Sequence, residues 1–169
     1  MEGVIHGDVD PIETDVMVFS LALVIGLIAG LRTMTAPAAM SWAASLGYLD
    51  LGGGWLAFMG YPFTPWILSA LALAEWVSDQ WPSTPSRKVP LQFGARLVSG
   101  ALSGAMVGSD GGTLLGGSVA GLIGAVIGTL GGAALRSRLA TALGRDLPAA
   151  LIEDAVAIFG ALSVLVLLR

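Results

Sequence analysis

Leu114-Leu-Gly-Gly-Ser-Val-Ala-Gly-Leu-Ile-Gly-Ala-Val-Ile-Gly-Thr-Leu-Gly-Gly-Ala-Ala-Leu135 is a stretch of 22 residues without one charge. A helix needs about 20 apolar residues to cross the hydrocarbon core of a bilayer, so this stretch is long enough to span one. Starting from Gly112 just before it, small residues recur every fourth position at Gly116, Ala120, Gly124, Gly128 and Gly132. Small residues at that spacing form a groove on one helix face, where another backbone can come close. One segment therefore encodes both a span and its packing surface.

Working outward, Arg136–Asp146 reads as a charged connection, and Pro148–Leu168 as a further apolar run interrupted by Glu153 and Asp154. Toward the N-terminus lie Phe93–Val107, Trp66–Trp81, the shorter Met34–Leu46, and Val16–Leu31, which ends at Arg32. The three prolines between Pro82 and Pro90 mark a loop. Gly100, Gly104 and Gly108 repeat the spacing of four one run earlier, and Gly26 with Gly30 gives a shorter version.

The composition agrees. Hydrophobic residues are 55% and charged residues 12% of the chain, with a mean hydropathy of +0.82. A soluble domain carries roughly 25% charged residues. The net charge is −4, and five of the twelve acids fall in the first fifteen residues. No basic tract could track a phosphate backbone, so nucleic acid is not an expected partner. With no Cys and a single His, His6, neither a disulfide framework nor a Cys- or His-based metal site is expected. No Lys or Arg precedes the first apolar run, which is therefore expected to persist as an anchor rather than be removed as a signal peptide.

Loops rich in Lys and Arg stay on the cytoplasmic side. Arg32, the group Arg87, Lys88 and Arg96, and the group Arg136, Arg138 and Arg145 share one side if the chain crosses six times. The N-terminus, Asp50 and Asp110 then lie outside, and only Arg169 departs from the rule. This divides the chain into an acidic extramembrane tail (1–14), a three-helix unit (15–81), a cytoplasmic loop (82–92) and a second three-helix unit (93–169). Met34–Leu46 is short for a span, so a tilted crossing is expected, with a re-entrant segment as the alternative.

The two units match each other. Phe19 to Gly26 aligns with Phe93 to Gly100, and the match runs on to Gly30 and Gly104, an offset of 74. Ser41, Ala43 and Gly47 align with Ser118, Ala120 and Gly124 at 77, and Ala72 to Glu75 with Ala150 to Glu153 at 78. A repeat with an odd number of spans enters the membrane from the opposite side, the inverted layout of many transporters.

Charge within an apolar run is costly, about 2.5–3.5 kcal/mol at a helix centre on insertion scales. Glu75, Asp79, Glu153 and Asp154 are therefore the candidate transport or ion-binding residues, and Arg32 and Arg96 the counter-charges or anion ligands. Glu75 and Glu153 have the alternative of only neutralising Arg32 and Arg96 and fixing helix register, Asp79 that of an interfacial residue near Pro82, and Asp154 that of facing Arg145 at the membrane surface. Gly30, Thr33, Thr35 and Pro37 interrupt the helix where one span turns into the next, and the freed N–H groups there, with Arg32, suit an anionic group. Gly100, Gly104, Gly116, Gly124 and Gly128 are the expected packing residues. The five tryptophans read as interface anchors or packing.

Gly30-Leu-Arg32, the segment from Glu75 through Asp79 to Pro82, and Arg96 with Ser99-Gly-Ala-Leu-Ser-Gly104 resemble the small bacterial integral membrane proteins grouped as domain of unknown function 4126. The resemblance covers residues 18–168 and implies a helical membrane fold without an established activity.

The expectation is thus an all-α polytopic transmembrane bundle in the inner (plasma) membrane, with its N-terminus outside the cytoplasm. Its expected function is a transporter or channel for a cation, proton or small solute. The alternative is a membrane subunit that binds a partner, a hydrophobic ligand or a second copy of itself through its glycine faces. No nucleophile, phosphate loop or acid–base pair points to an enzyme, and no cofactor is expected.

Overall fold

The computed structural model describes residues 11–78 and 89–169. Among them are six α-helices and no strand: α1 (Pro11–Leu31), α2 (Thr35–Ser45), α3 (Thr64–Ser78), α4 (Pro90–Asp110), α5 (Leu114–Leu143) and α6 (Asp146–Leu167). A short 3-10 helix, Trp55–Gly60, lies between α2 and α3. Asp79 and most of the expected 82–92 loop lie outside the described residues.

Several boundaries differ from the sequence reading. α1 begins at Pro11, inside the segment expected to be a solvated tail. α4 takes in Pro90, placed earlier in the loop; proline suits a first helical turn, whose N–H groups have no intrahelical partner. Arg136–Asp146 is not an extended connection. α5 continues to Leu143, and the reversal is confined to Gly144, in the left-handed region at φ +67°, and Arg145. Charged residues on an exposed helical turn resemble a loop in composition, but nothing between Arg136 and Leu143 breaks a helix.

α1, α5 and α6 are long and apolar enough to cross a membrane. α4 matches α1 in length, but its polar and small residues keep it out of that class, and α2 and α3 have only 11 and 15 residues. The surface is apolar. Trp66, Ile67, Leu73 and Val77 of α3 and Leu151, Val156, Phe159 and Val166 of α6 are all exposed. Arg32, Arg96, Ser41, Ser103 and Thr129 are buried instead. Apolar surface this extensive belongs against lipid or protein rather than water.

α5 lies in the crevice between α1 and α4. Its Gly121 backbone meets Gly26 and Gly100, and its Gly117 backbone meets Gly104 and Gly108. A Cβ on Gly26 would collide with the Gly121 carbonyl, and one on Gly104 with the Gly117 carbonyl. Gly124 and Gly128 pack on Leu23 and Leu27 of α1, whereas Gly116 takes the Phe19 ring. The expected packing glycines are all at contacts, but Gly117 and Gly121, which meet α4, fall outside the stripe of four. Four residues turn a helix by about 400°, so a strict four-residue stripe drifts across the face, and two stripes serve two neighbours.

The contacts also fix direction. Gly26 to Gly30 tracks Gly121 to Gly128, so α1 and α5 are parallel, whereas Gly100 to Gly108 runs against Gly121 to Gly117. Trp42 with Ser69, and Thr35 with Trp76, set α2 against α3. Arg32 with Asp154, and Ile28 with Gly160, set α1 against α6. α1, α3 and α5 therefore run one way, and α2, α4 and α6 the other. α2 starts beside Ser99, and the loop after it reaches the far end of α4, where the Asp50 N–H donates to Asp110 at 2.9 Å. One end of the bundle holds Arg32, Arg96, Arg136, Arg138 and Arg145, and the other Asp50 and Asp110.

Candidate functional site

The site forms where α1 stops and α2 starts. The Arg32 N–H still reaches the Ile28 carbonyl, but Thr33 and Met34 leave the helix. Pro37 explains the break. Its ring would clash with the carbonyl of Thr33, four residues back, in a continuous helix, but it is tolerated in the first turn of α2.

A broken helix leaves carbonyls at one end and N–H groups at the other without intrahelical partners. Here distant side chains supply them. Glu75, on α3, accepts the Thr33 N–H on Oε1 and the Met34 N–H on Oε2, both at 2.8 Å. Arg96, on α4, donates from one nitrogen to the Gly30 carbonyl at 2.8 Å and the Leu31 carbonyl at 2.7 Å. Its other terminal nitrogen stands 3.8 Å from Glu75 Oε1. The Ser99 hydroxyl donates to the Thr33 carbonyl, and the Thr129 hydroxyl lies 3.3 Å from the Gly30 carbonyl. The anion sits at the positive pole of α2 and the cation at the negative pole of α1, so both macrodipoles favour the arrangement. Thr35 accepts the Trp76 indole N–H at 3.4 Å.

A second group of charges lies at the same end. Asp154 is ion-paired with Arg32, whose side chain is fully buried. Glu153 is 3.7 Å from Arg136, which also holds Asp146 through two hydrogen bonds of 3.0 and 2.6 Å. Neighbouring residues on a helix point about 100° apart, so Glu153 and Asp154 meet different arginines. A pocket of about 40 Å³ between α5 and α6 is bordered by Leu31, Leu135, Arg136, Ile152 and Glu153. That is roughly space for two or three waters. Glu75 is not on its wall, so the two glutamates do not share it.

The sequence-derived candidates are therefore gathered at one end, but with a different pairing. The freed N–H groups at the break do meet an anion, which is the chain's own Glu75, opposite Arg96 rather than Arg32. Asp154 takes Arg32 and not Arg145. Glu153 takes Arg136, a residue of the charged connection, rather than the expected counter-charges Arg32 or Arg96. Asp79 lies outside the described residues. Ser99 and Thr129 were missed. Ser99 had a legible signal, standing three residues after Arg96 on the same helix face, whereas Thr129 had none. Compared with family models, curated proteins and solved structures, the chain matches none.

Proposed function

We propose that this protein is a small membrane transporter or channel of six crossings, built from two inverted three-helix units and related to the group it resembles in sequence. In this reading Glu75 is the residue that couples ion or proton binding to a change of shape. Alternating helix directions support the six crossings, with α2 as the short second one. The opposite directions of α1, which lays Gly26 and Gly30 on α5, and of α4, which lays Gly100, Gly104 and Gly108 on it, support the inversion. The arginine-rich end faces the cytoplasm by the positive-inside rule.

The observation that carries the transport reading is the Glu75 carboxylate, which holds both N–H groups at the start of a broken, buried helix. Discontinuous helices of this kind form the ion and substrate sites of many transporters. Protonating Glu75, or neutralising it with a cation, weakens its attraction for the α2 terminus and for Arg96. α2 is then released from α3 and α4, and ionisation restores the contact. A two-state element whose balance shifts with occupancy is what transport requires.

The test is flux in liposomes holding a pH-sensitive dye and clamped electrically with potassium and valinomycin. Wild type is expected to dissipate a proton gradient well above empty liposomes, and Glu75→Gln at least tenfold more slowly. Parallel assays with sodium and potassium gradients identify a metal-ion substrate. A second reading, a scaffold without transport, is favoured by the arginine within 4 Å of each of Glu75, Glu153 and Asp154. Flux equal to empty liposomes in all three gradients establishes that reading and overturns transport.

A further inference from the structure

Of the arginines described at one end of the bundle, Arg32 meets Asp154, Arg96 meets Glu75, and Arg136 meets Asp146 and Glu153. Arg138 and Arg145 are exposed and form no ion pair among the described residues. Their depth is set by α5. Its uncharged stretch, Leu114–Leu135, has 22 residues. At 1.5 Å per residue that is about 33 Å, which fills a hydrocarbon core of about 30 Å. Arg138 then stands about 4.5 Å past the end of the stretch, at the level of the lipid headgroups. Arg145 follows the reversal at Gly144 on the same side.

Beside these arginines α5 and α6 do not close on each other. The pocket of about 40 Å³ between them exposes an apolar surface, and an apolar void holds water poorly. α5 lines it with Gly132, Leu135 and Leu139, and α6 with Ala149, Ile152 and Val156. Each set is spaced by three and four residues, which is one helix face. Leu135, Ile152 and Val156 are also exposed, so the groove opens sideways toward lipid rather than into the bundle. Each wall leads to an arginine one turn nearer the polar end, Arg138 three residues after Leu135 and Arg145 four before Ala149. The acid at this corner, Asp146, is held by Arg136 through two hydrogen bonds and does not cancel the other two charges.

We propose that the α5–α6 groove seats an anionic phospholipid of the arginine-rich leaflet, with an acyl chain along Leu135, Ile152 and Val156 and the phosphate at Arg138 and Arg145. An apolar slot that opens to lipid and ends in two uncompensated cations matches a molecule with a hydrocarbon chain below an anion. The planar guanidinium suits phosphate oxygens, and basic pockets between membrane helices on the cytoplasmic side are known sites of anionic headgroups. A zwitterionic headgroup carries its own cation, which the two arginines repel. The site needs α5 and α6 to cross the bilayer, but neither Glu75 nor transport.

The test is native mass spectrometry of the full chain in detergent, titrated with dioleoyl phosphatidylglycerol or dioleoyl phosphatidylcholine, which share acyl chains and differ in net charge. Wild type is expected to bind phosphatidylglycerol at least tenfold more tightly. Each arginine near an anionic surface is worth about fivefold in binding. Arg138→Gln with Arg145→Gln is therefore expected to remove most of the preference. Arg138→Lys with Arg145→Lys keeps the charge and is expected to retain it, as is Arg169→Gln at the opposite end of α6. Val156→Trp fills the groove and is expected to weaken phosphatidylglycerol binding at least fivefold with both arginines in place. Equal affinity of wild type for the two lipids, a preference that survives the double glutamine variant, or unaltered binding in Val156→Trp each overturns the proposal. A lipid-free dimer, in which a second copy covers the groove, overturns it as well. Glu75→Gln is expected to bind phosphatidylglycerol as wild type does, so this result and the flux measurements stand apart.

Discussion

Glu75 and Arg96 close the α1–α2 break from its two sides, the carboxylate on two N–H groups of one helix end and the guanidinium on two carbonyls of the other, with 3.8 Å between them. Each charge satisfies backbone groups that a buried helix end would otherwise leave bare, and each offsets the other's desolvation. Helix α2 is thereby held by residues from α3 and α4.

Arg96→Lys tests the guanidinium's geometry. An ammonium is a point charge on a flexible stem and cannot reproduce a planar fork reaching two carbonyls and a carboxylate. Hydrogen bonds to charged groups contribute about 1.5–3 kcal/mol each, so a loss of about 2 kcal/mol is expected in detergent unfolding titrations. Ser99→Ala, which loses one neutral hydroxyl contact, is expected to cost about 1 kcal/mol. Equal stability of Arg96→Lys and wild type rejects the fork.

Arg32 and Asp154 form a buried pair suited to a double-mutant cycle. Removing one partner leaves a buried charge uncompensated, a loss of about 3–5 kcal/mol, whereas replacing both with apolar residues is often nearly neutral. Arg32→Met and Asp154→Leu are each expected to unfold early, and the double variant to recover most of the loss. Additive losses mean that the two residues do not act together. The Arg136–Asp146 contact, with Asp146 63% exposed in its side chain, gives a contrast. Asp146→Asn is expected to change stability by less than about 1 kcal/mol.

Gly121 and Gly131 sit on the same helix with opposite surroundings. A side chain at Gly121 meets the Gly100 carbonyl at once, whereas nothing lies within 4 Å of a Cβ at Gly131. Gly121→Leu is expected to separate α5 from α4 and prevent the native fold, read as loss of the monodisperse peak in size-exclusion chromatography. Gly131→Ala is expected to raise stability by up to about 1 kcal/mol, because alanine loses less backbone entropy in a helix. A folded Gly121→Leu protein contradicts the close packing.

The absence of cysteine makes topology directly measurable. In the six-crossing reading, single cysteines at Gly52 and Ser137 fall on opposite sides of the membrane. A membrane-impermeant maleimide added to intact spheroplasts is expected to label Gly52→Cys and to spare Ser137→Cys until the membrane is opened. Labelling of both from one side rejects the three crossings, α3 to α5, that separate them in this reading.

Much of the helical plan is legible from composition and spacing. The break before α2 follows from Pro37, and the glycines announce close helix contacts because only residues without bulk allow them. Boundaries at Pro11, Pro90 and Leu143 are less legible, because a charged helical turn and a loop share a composition. Gly117 and Gly121 escaped a four-residue template because one helix serves two neighbours.

The sequence by itself determined an apolar, helical, glycine-packed chain with a few charges retained inside it, since hydropathy and local spacing are properties of neighbours along the chain. Only the tertiary structure decided which charge meets which: Glu75 with Arg96, Asp154 with Arg32, Glu153 with Arg136. Those choices depend on helix rotation and depth, set by the shape of all the packed faces together. No single segment carries that information.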